Sequence, residues 1–162
     1  MYTQEQIDAM TEEQKSEAWN QMWRNFCVSD SFEPGSPAKP LTVAAALEEG
    51  VIGPQETFVC DAPRRWAATG SSASAFTATA PFGGADPDES CNDAMMQIAA
   101  RMGVERFARY QEIFGFGQKT GIDLPGEADT AGLIFHADNM GAADLACNSF
   151  GQTYNCTMVQ MA

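Results

Sequence analysis

At 162 residues the chain is long enough for one compact domain and too short for two comfortable ones. Apolar residues make up 44% and charged residues 19%, a globular profile rather than a disordered one. The formal net charge of −13, with no basic cluster longer than Arg64-Arg65, excludes a phosphate-backbone binder, and no glycine loop of the nucleotide-binding type is present.

Two helical pieces are predicted first. Thr3-Gln4-Glu5-Gln6 and Thr11-Glu12-Glu13-Gln14 both fit a capping box, with a hydroxyl at the cap and Gln three residues later. Trp19, Met22, Trp23 and Phe26 then recur at helical spacing and predict one apolar face packed into a core. Ser29 to Gly35 reads as a turn enforced by Pro34 and Gly35. Ser36-Pro37-Ala38-Lys39 opens a helix that runs to Glu49, with Pro37 suited to the first helical position and Gly50 as the stop.

Residues 62–89 are rich in Ala, Ser, Thr, Gly and Pro without a period of 2 or 3.6, so a loop is predicted, although one of unusual length. Met95, Ile98, Ala99 and Met102 form a helical stripe closed by Gly103. Val104, Phe107, Tyr110 and Phe114 form another, closed by Gly115. Gly117 to Glu127 is a Gly/Pro-punctuated connector around Ile122 and Leu124, and Met140 to Leu145 reads as a short helix. Thr157-Met158-Val159-Gln160 is a third capping box with only two residues after it, the pattern expected of a truncated helix.

Cys27, Cys60, Cys91, Cys147 and Cys156 lack C-x-x-C spacing and are odd in number, so free, mostly buried thiols are expected. His136, the single histidine, has no nearby Cys or His, and neither a metal nor a cofactor is expected. There is no signal-like stretch and no apolar run approaching ~20 residues, so the segment itself reads as soluble.

Ser36 and Lys39 carry the chemistry. At i and i+3 on a helix they share a face, which brings an ammonium within reach of a hydroxyl at a helix N-terminus. Serine becomes a nucleophile when a base takes its proton, and a Lys with an accessible neutral form serves as that base. The same four residues also fit a plain N-cap with a solvated lysine.

The context decides between these readings. Glu33-Pro34-Gly35-Ser36-Pro37-Ala38-Lys39-Pro40-Leu41-Thr42 resembles the nucleophile segment of class B penicillin-binding proteins. Ser90-Cys91-Asn92 matches the family's Ser-x-Asn motif. Phe114 to Gly117 and Thr120-Gly121-Ile122-Asp123-Leu124-Pro125-Gly126-Glu127 match a specific family signature, and Ser149-Phe150-Gly151-Gln152 with Thr157 to Ala162 completes the resemblance. Met22-Trp23-Arg24-Asn25 looks most like enzymes of Clostridia-type bacteria.

The resemblance implies an α+β fold of the β-lactamase/transpeptidase type. Residues 1–162 would form a partial, mainly α-helical piece that lacks most of the central antiparallel sheet. It implies D,D-transpeptidation: Ser36 acylated by a peptidoglycan stem peptide ending in D-Ala-D-Ala or by a β-lactam, and Lys39 as general base. Ser90 would relay a proton to the leaving group, and Asn92 would bond Lys39 and the substrate amide. The parent protein would be membrane-anchored through a missing N-terminal part, with this domain outside the cell.

Departures from the family are equally legible. Its Lys-Thr-Gly strand follows the Ser-Phe-Gly-Gln region, whereas Lys119-Thr120-Gly121 precedes it and is read as a decoy. Residues 62–89 lack the family's usual turn and helix before Ser90, as a compensated frameshift in the encoding DNA would leave them. A β-lactam-binding sensor, a class D-like β-lactamase relative, or an inactive truncated product are the alternative readings, with inactivity of the isolated chain expected.

Overall fold

The computed structural model describes residues 3–60, 74–77 and 91–162. Helix α1 (Gln4–Asp8) and helix α2 (Glu12–Trp23) each begin at the expected capping box, the Thr hydroxyl accepting the N3 amide and the Gln side chain accepting the cap amide in return. A one-turn helix α3 (Phe26–Ser29) follows, capped by Asn25, whose side chain accepts the Cys27 amide at 3.1 Å.

The apolar stripe does not behave as expected. It is cut at Arg24, where extended backbone ends α2, and Trp19, Met22, Trp23 and Phe26 are 49%, 65%, 77% and 58% exposed. Only Ala18 of α2 is buried. Within α2, helical spacing gives Trp19, Met22 and Trp23 a shared direction, but spacing by itself supplies no partner to bury them.

The stretch expected as a plain turn holds strand β1 (Ser31–Phe32), paired antiparallel with β4 (Cys156–Thr157) in the register Ser31↔Thr157 and Phe32↔Cys156. A 3-10 turn (Ser36–Ala38) then leads into α4 (Lys39–Glu48). Gly50, at φ 64°, closes α4 by donating to Leu47, while the Val51 amide donates to Ala46. Strands β2 (Thr57–Cys60) and β3 (Ser74–Thr77) form a second antiparallel ribbon. The loop expected for 62–89 therefore fails at 74–77, and the rest of that stretch lies outside the described residues.

Helices α5 (Asn92–Met102) and α6 (Val104–Ile113) fall where their stripes place them, separated by Gly103 at φ 81°. The helix expected at Met140 begins later, as α7 (Ala142–Asn148), because Gly141 and Asp144 form its capping pair. A one-turn helix α8 (Met158–Met161) carries the third Thr/Gln capping box.

The main core joins α4, α5, α6 and α7: Val43, Ala46, Met95, Ile98, Phe107 and Leu145 are all buried, together with Phe58 of β2. Complete burial of Ile98 stabilises by roughly 1.5–3 kcal/mol in area terms. Arg101 of α5 stacks over the Phe58 ring at 4.9 Å and pairs with Glu56, fastening the ribbon to the helices. A smaller cluster of Ala38, Phe116, Ile134, Tyr154 and Cys156 lies beneath the 3-10 turn.

Cys27, Cys147 and Cys156 are free thiols, as expected, though of these only Cys156 is buried and the other two are half-buried. Cys91 is disulfide-bonded, which corrects the reading of it as a thiol. Scattered spacing carries no information about which sulfurs the fold brings together.

Candidate active site

Ser36 begins the 3-10 turn, and Gly35 before it adopts φ 61° and ψ −146°, a backbone region open to glycine alone. The Lys39 amide donates to the Ser36 carbonyl and closes the turn. In a 3-10 turn residues i and i+3 eclipse, so Lys39 stands directly over Ser36 on one face. Ser36 is not the helix cap: Gly35 occupies that place, and no side chain caps the turn. Pro37 and Pro40 fall in the first turns of their helices, where their missing amides cost no internal bond.

The two side chains differ in environment. Ser36 is exposed, while Lys39 is only 5% exposed. Burial pushes the Lys39 ammonium below its ordinary value of 10.5, because desolvation disfavours the charged form. An accessible hydroxyl beside an amine with a lowered proton affinity is the combination that activates a serine.

The turn is held from behind by a distant segment. The Gly35 amide donates to the Gly151 carbonyl at 2.8 Å, and the Thr153 amide donates to Glu33 Oε1 at 3.1 Å. One turn beyond Lys39, the buried Thr42 hydroxyl donates to the Ser149 carbonyl at 2.9 Å. Ser149 in turn donates from Oγ to the Ala146 carbonyl at 2.6 Å, and Asn148 donates to the Gln152 carbonyl and to Thr153 Oγ1. Gln111 of α6 completes this network by donating to Asn148 Oδ1 at 3.1 Å. Sequence reasoning gave Glu33, Thr42, Ser149 and Thr153 no role of their own. The one local signal was Thr42 lying three residues after Lys39 on the same helix.

Asn92 is the first residue of α5 and is exposed; the cap before it is Cys91, whose Sγ accepts the Ala94 amide at 3.4 Å. Ser90 lies outside the described residues. Lys119-Thr120-Gly121 is bound up in its own loop: Lys119 Nζ donates to the Glu127 carbonyl, and the Thr120 amide and hydroxyl both donate to Glu127 Oε1, each at 2.7 Å.

Comparison with known proteins places these features in a family. The family model described as the penicillin binding protein transpeptidase domain matches residues 3–162. Stage V sporulation protein D of Bacillus subtilis is 33% identical over 146 residues, covering 85% of this chain and 21% of that protein. Penicillin-binding protein PbpB of Mycolicibacterium smegmatis is 33% identical over 144 residues, with the same coverage of 85% and 21%. The chain thus spans about a fifth of the length of these curated relatives. Among solved structures, Penicillin binding protein 3 from Mycobacterium tuberculosis, complexed with aztreonam, superposes with a TM-score of 0.71 at 30% identity, covering 85% of this chain and 30% of that one. The fold is thereby of the β-lactamase/transpeptidase type, represented here by a mainly helical part of it. On the extent of the family match and these relatives, the chain belongs to the penicillin-binding protein transpeptidase family.

Proposed function

We propose that this chain carries the nucleophile portion of a serine acyl-transfer site that cross-links peptidoglycan. The observation that carries the reading is the exposed Ser36 hydroxyl one 3-10 turn from a buried, desolvated Lys39. Lys39 takes the Ser36 proton as Oγ bonds to the penultimate D-Ala carbonyl carbon of a stem peptide. The C–N bond to the terminal D-Ala then breaks, and that residue leaves with a proton relayed by Ser90. The amine of a second stem peptide displaces Ser36 and completes the cross-link. In a β-lactam the leaving nitrogen stays tethered within the acyl group. Asn92 holds the substrate amide and bonds Lys39.

Substrate-carboxylate binding falls to a Lys-Thr-Gly strand beyond residues 1–162, since Lys119 and Thr120 are committed to Glu127. Among the described residues no helix is long and apolar enough to cross a membrane. The parent protein is proposed to be anchored through a segment outside this chain, with the domain on the extracytoplasmic face. The disulfide at Cys91 supports that placement, because such bonds persist in oxidising compartments.

The test is intact-protein mass spectrometry after incubation with benzylpenicillin, with Ser36→Ala alongside. A stable adduct that maps to Ser36 and disappears in the variant supports the reading. An adduct elsewhere overturns the assignment of Ser36. No adduct here, but one on a chain extended through the third motif, denies activity to this chain alone and keeps the site; no adduct on either removes the site.

A further inference from the structure

The nucleophile turn depends on a loop more than a hundred residues away, and one of the links that reach across is an exposed carboxylate. Glu33 lies between β1 and the Ser36 turn, and its Oε1 accepts the Thr153 amide at 3.1 Å across a separation of 120 residues. Thr153 has φ 65°, the one non-glycine residue with positive φ among the described residues. A β-branched residue there is strained, and such strain persists only where the surroundings over-determine it. Two bonds do so: the Thr153 amide to Glu33, and Asn148 Nδ2 to Thr153 Oγ1 at 2.9 Å. The conformation at Thr153 follows Gly151, whose carbonyl receives the Gly35 amide immediately before Ser36.

We propose that Glu33 is a positioning residue for Ser36, acting by holding Thr153 left-handed so that Gly151 stays seated against Gly35. Glu33 touches no reacting atom. It fixes the loop that fixes the turn, and the inference rests on the reading of Ser36 as the nucleophile. What Glu33 contributes is an acceptor oxygen at the right distance, which a glutamine carbonyl also supplies.

The experiment compares Glu33→Ala and Glu33→Gln by amide hydrogen exchange at Gly35 and Thr153 and by the rate of benzylpenicillin acylation. Loss of one charge-assisted bond at an exposed site is expected to speed exchange and slow acylation by roughly five- to ten-fold in Glu33→Ala. Glu33→Gln is expected to stay within about two-fold of wild type, since the bond survives without the charge. Exchange at the α5 amides, read in the same data, reports whether the fold as a whole is intact. Wild-type exchange at Gly35 in Glu33→Ala overturns the proposal, as does a Glu33→Gln variant as impaired as the alanine. If wild type itself is not acylated, the acylation arm is read on the chain extended through the third motif, where absence of an adduct removes the nucleophile reading. Exchange at Gly35 decides in either chain whether Glu33 holds the turn.

Discussion

Gly35 and Gly151 meet backbone to backbone: the Gly35 amide donates to the Gly151 carbonyl at 2.8 Å, and a Cβ built on Gly151 would stand 2.1 Å from the Gly35 carbonyl oxygen. Gly151 also has φ 83°. Both facts forbid a side chain there. The obstacle is main chain rather than a flexible side-chain end, so the turn carrying Ser36 must yield.

Gly151→Ala is therefore expected to destabilise the fold by about 2–4 kcal/mol and to abolish penicillin labelling of Ser36. Gly103→Ala is the control. It shares a positive φ, 81°, with ψ 164° in a region that side chains rarely adopt. Nothing lies within 4 Å of its Cβ, so only the backbone cost of roughly 1–3 kcal/mol remains, without the added clash. Urea denaturation separates the two. Equal losses would mean that the Gly35 contact is soft.

Lys39 sets a pH dependence. Its folded-state pKa is lowered from 10.5 by burial, so the unfolded chain binds this proton more tightly than the folded one. The folded state carries the cost of a desolvated ammonium below the lowered pKa, and that cost fades as pH rises towards 10.5. This group's contribution to stability therefore increases with pH across that window. Acylation should rise over the same direction as neutral lysine accumulates, with an apparent pKa below 10.5. A rate profile that is flat from pH 6 to 10 would separate Lys39 from base catalysis.

The sequence discloses what is local and withholds what is distant. All three Thr/Gln capping boxes, the α5 and α6 stripes and the Gly50 and Gly103 stops are legible because cap geometry and helical period lie within a few residues. The pairing of β1 with β4 and the Glu33–Thr153 bond join residues more than a hundred positions apart, and two-residue strands carry no period to detect. Ser36 and Lys39 stand out through their spacing and context. Their difference in burial, on which the proposed chemistry rests, is a property of the folded chain that spacing alone does not encode.

The stripe on α2 and α3 yields a prediction in stability. Trp23 is 77% exposed, so Trp23→Gln is expected to change unfolding free energy by no more than about 0.5 kcal/mol. Ile98 is fully buried, and Ile98→Ala is expected to cost about 2–5 kcal/mol through lost contacts and the cavity left behind. Urea titration of both variants checks the contrast. A large loss at Trp23 would place that ring in a core after all.

Two lysines precede or follow motif letters that look catalytic, and their surroundings assign them opposite outcomes. Lys119 is exposed, and its Nζ is bonded to the Glu127 carbonyl at 2.7 Å. Bonds from Thr120 hold the Glu127 carboxyl below its ordinary value of 4.5, so they persist at neutral pH and loosen as pH falls through that depressed value. The group is thus occupied in closing its own loop. Lys119→Ala is expected to leave Ser36 acylation within about two-fold of wild type, whereas Lys39→Ala removes the proposed base and should lower it by roughly 100-fold or more. Second-order acylation rates with benzylpenicillin measure both. A large loss at Lys119 would mean that Lys119-Thr120-Gly121 contacts the substrate, and the third motif would then lie within this chain rather than beyond it.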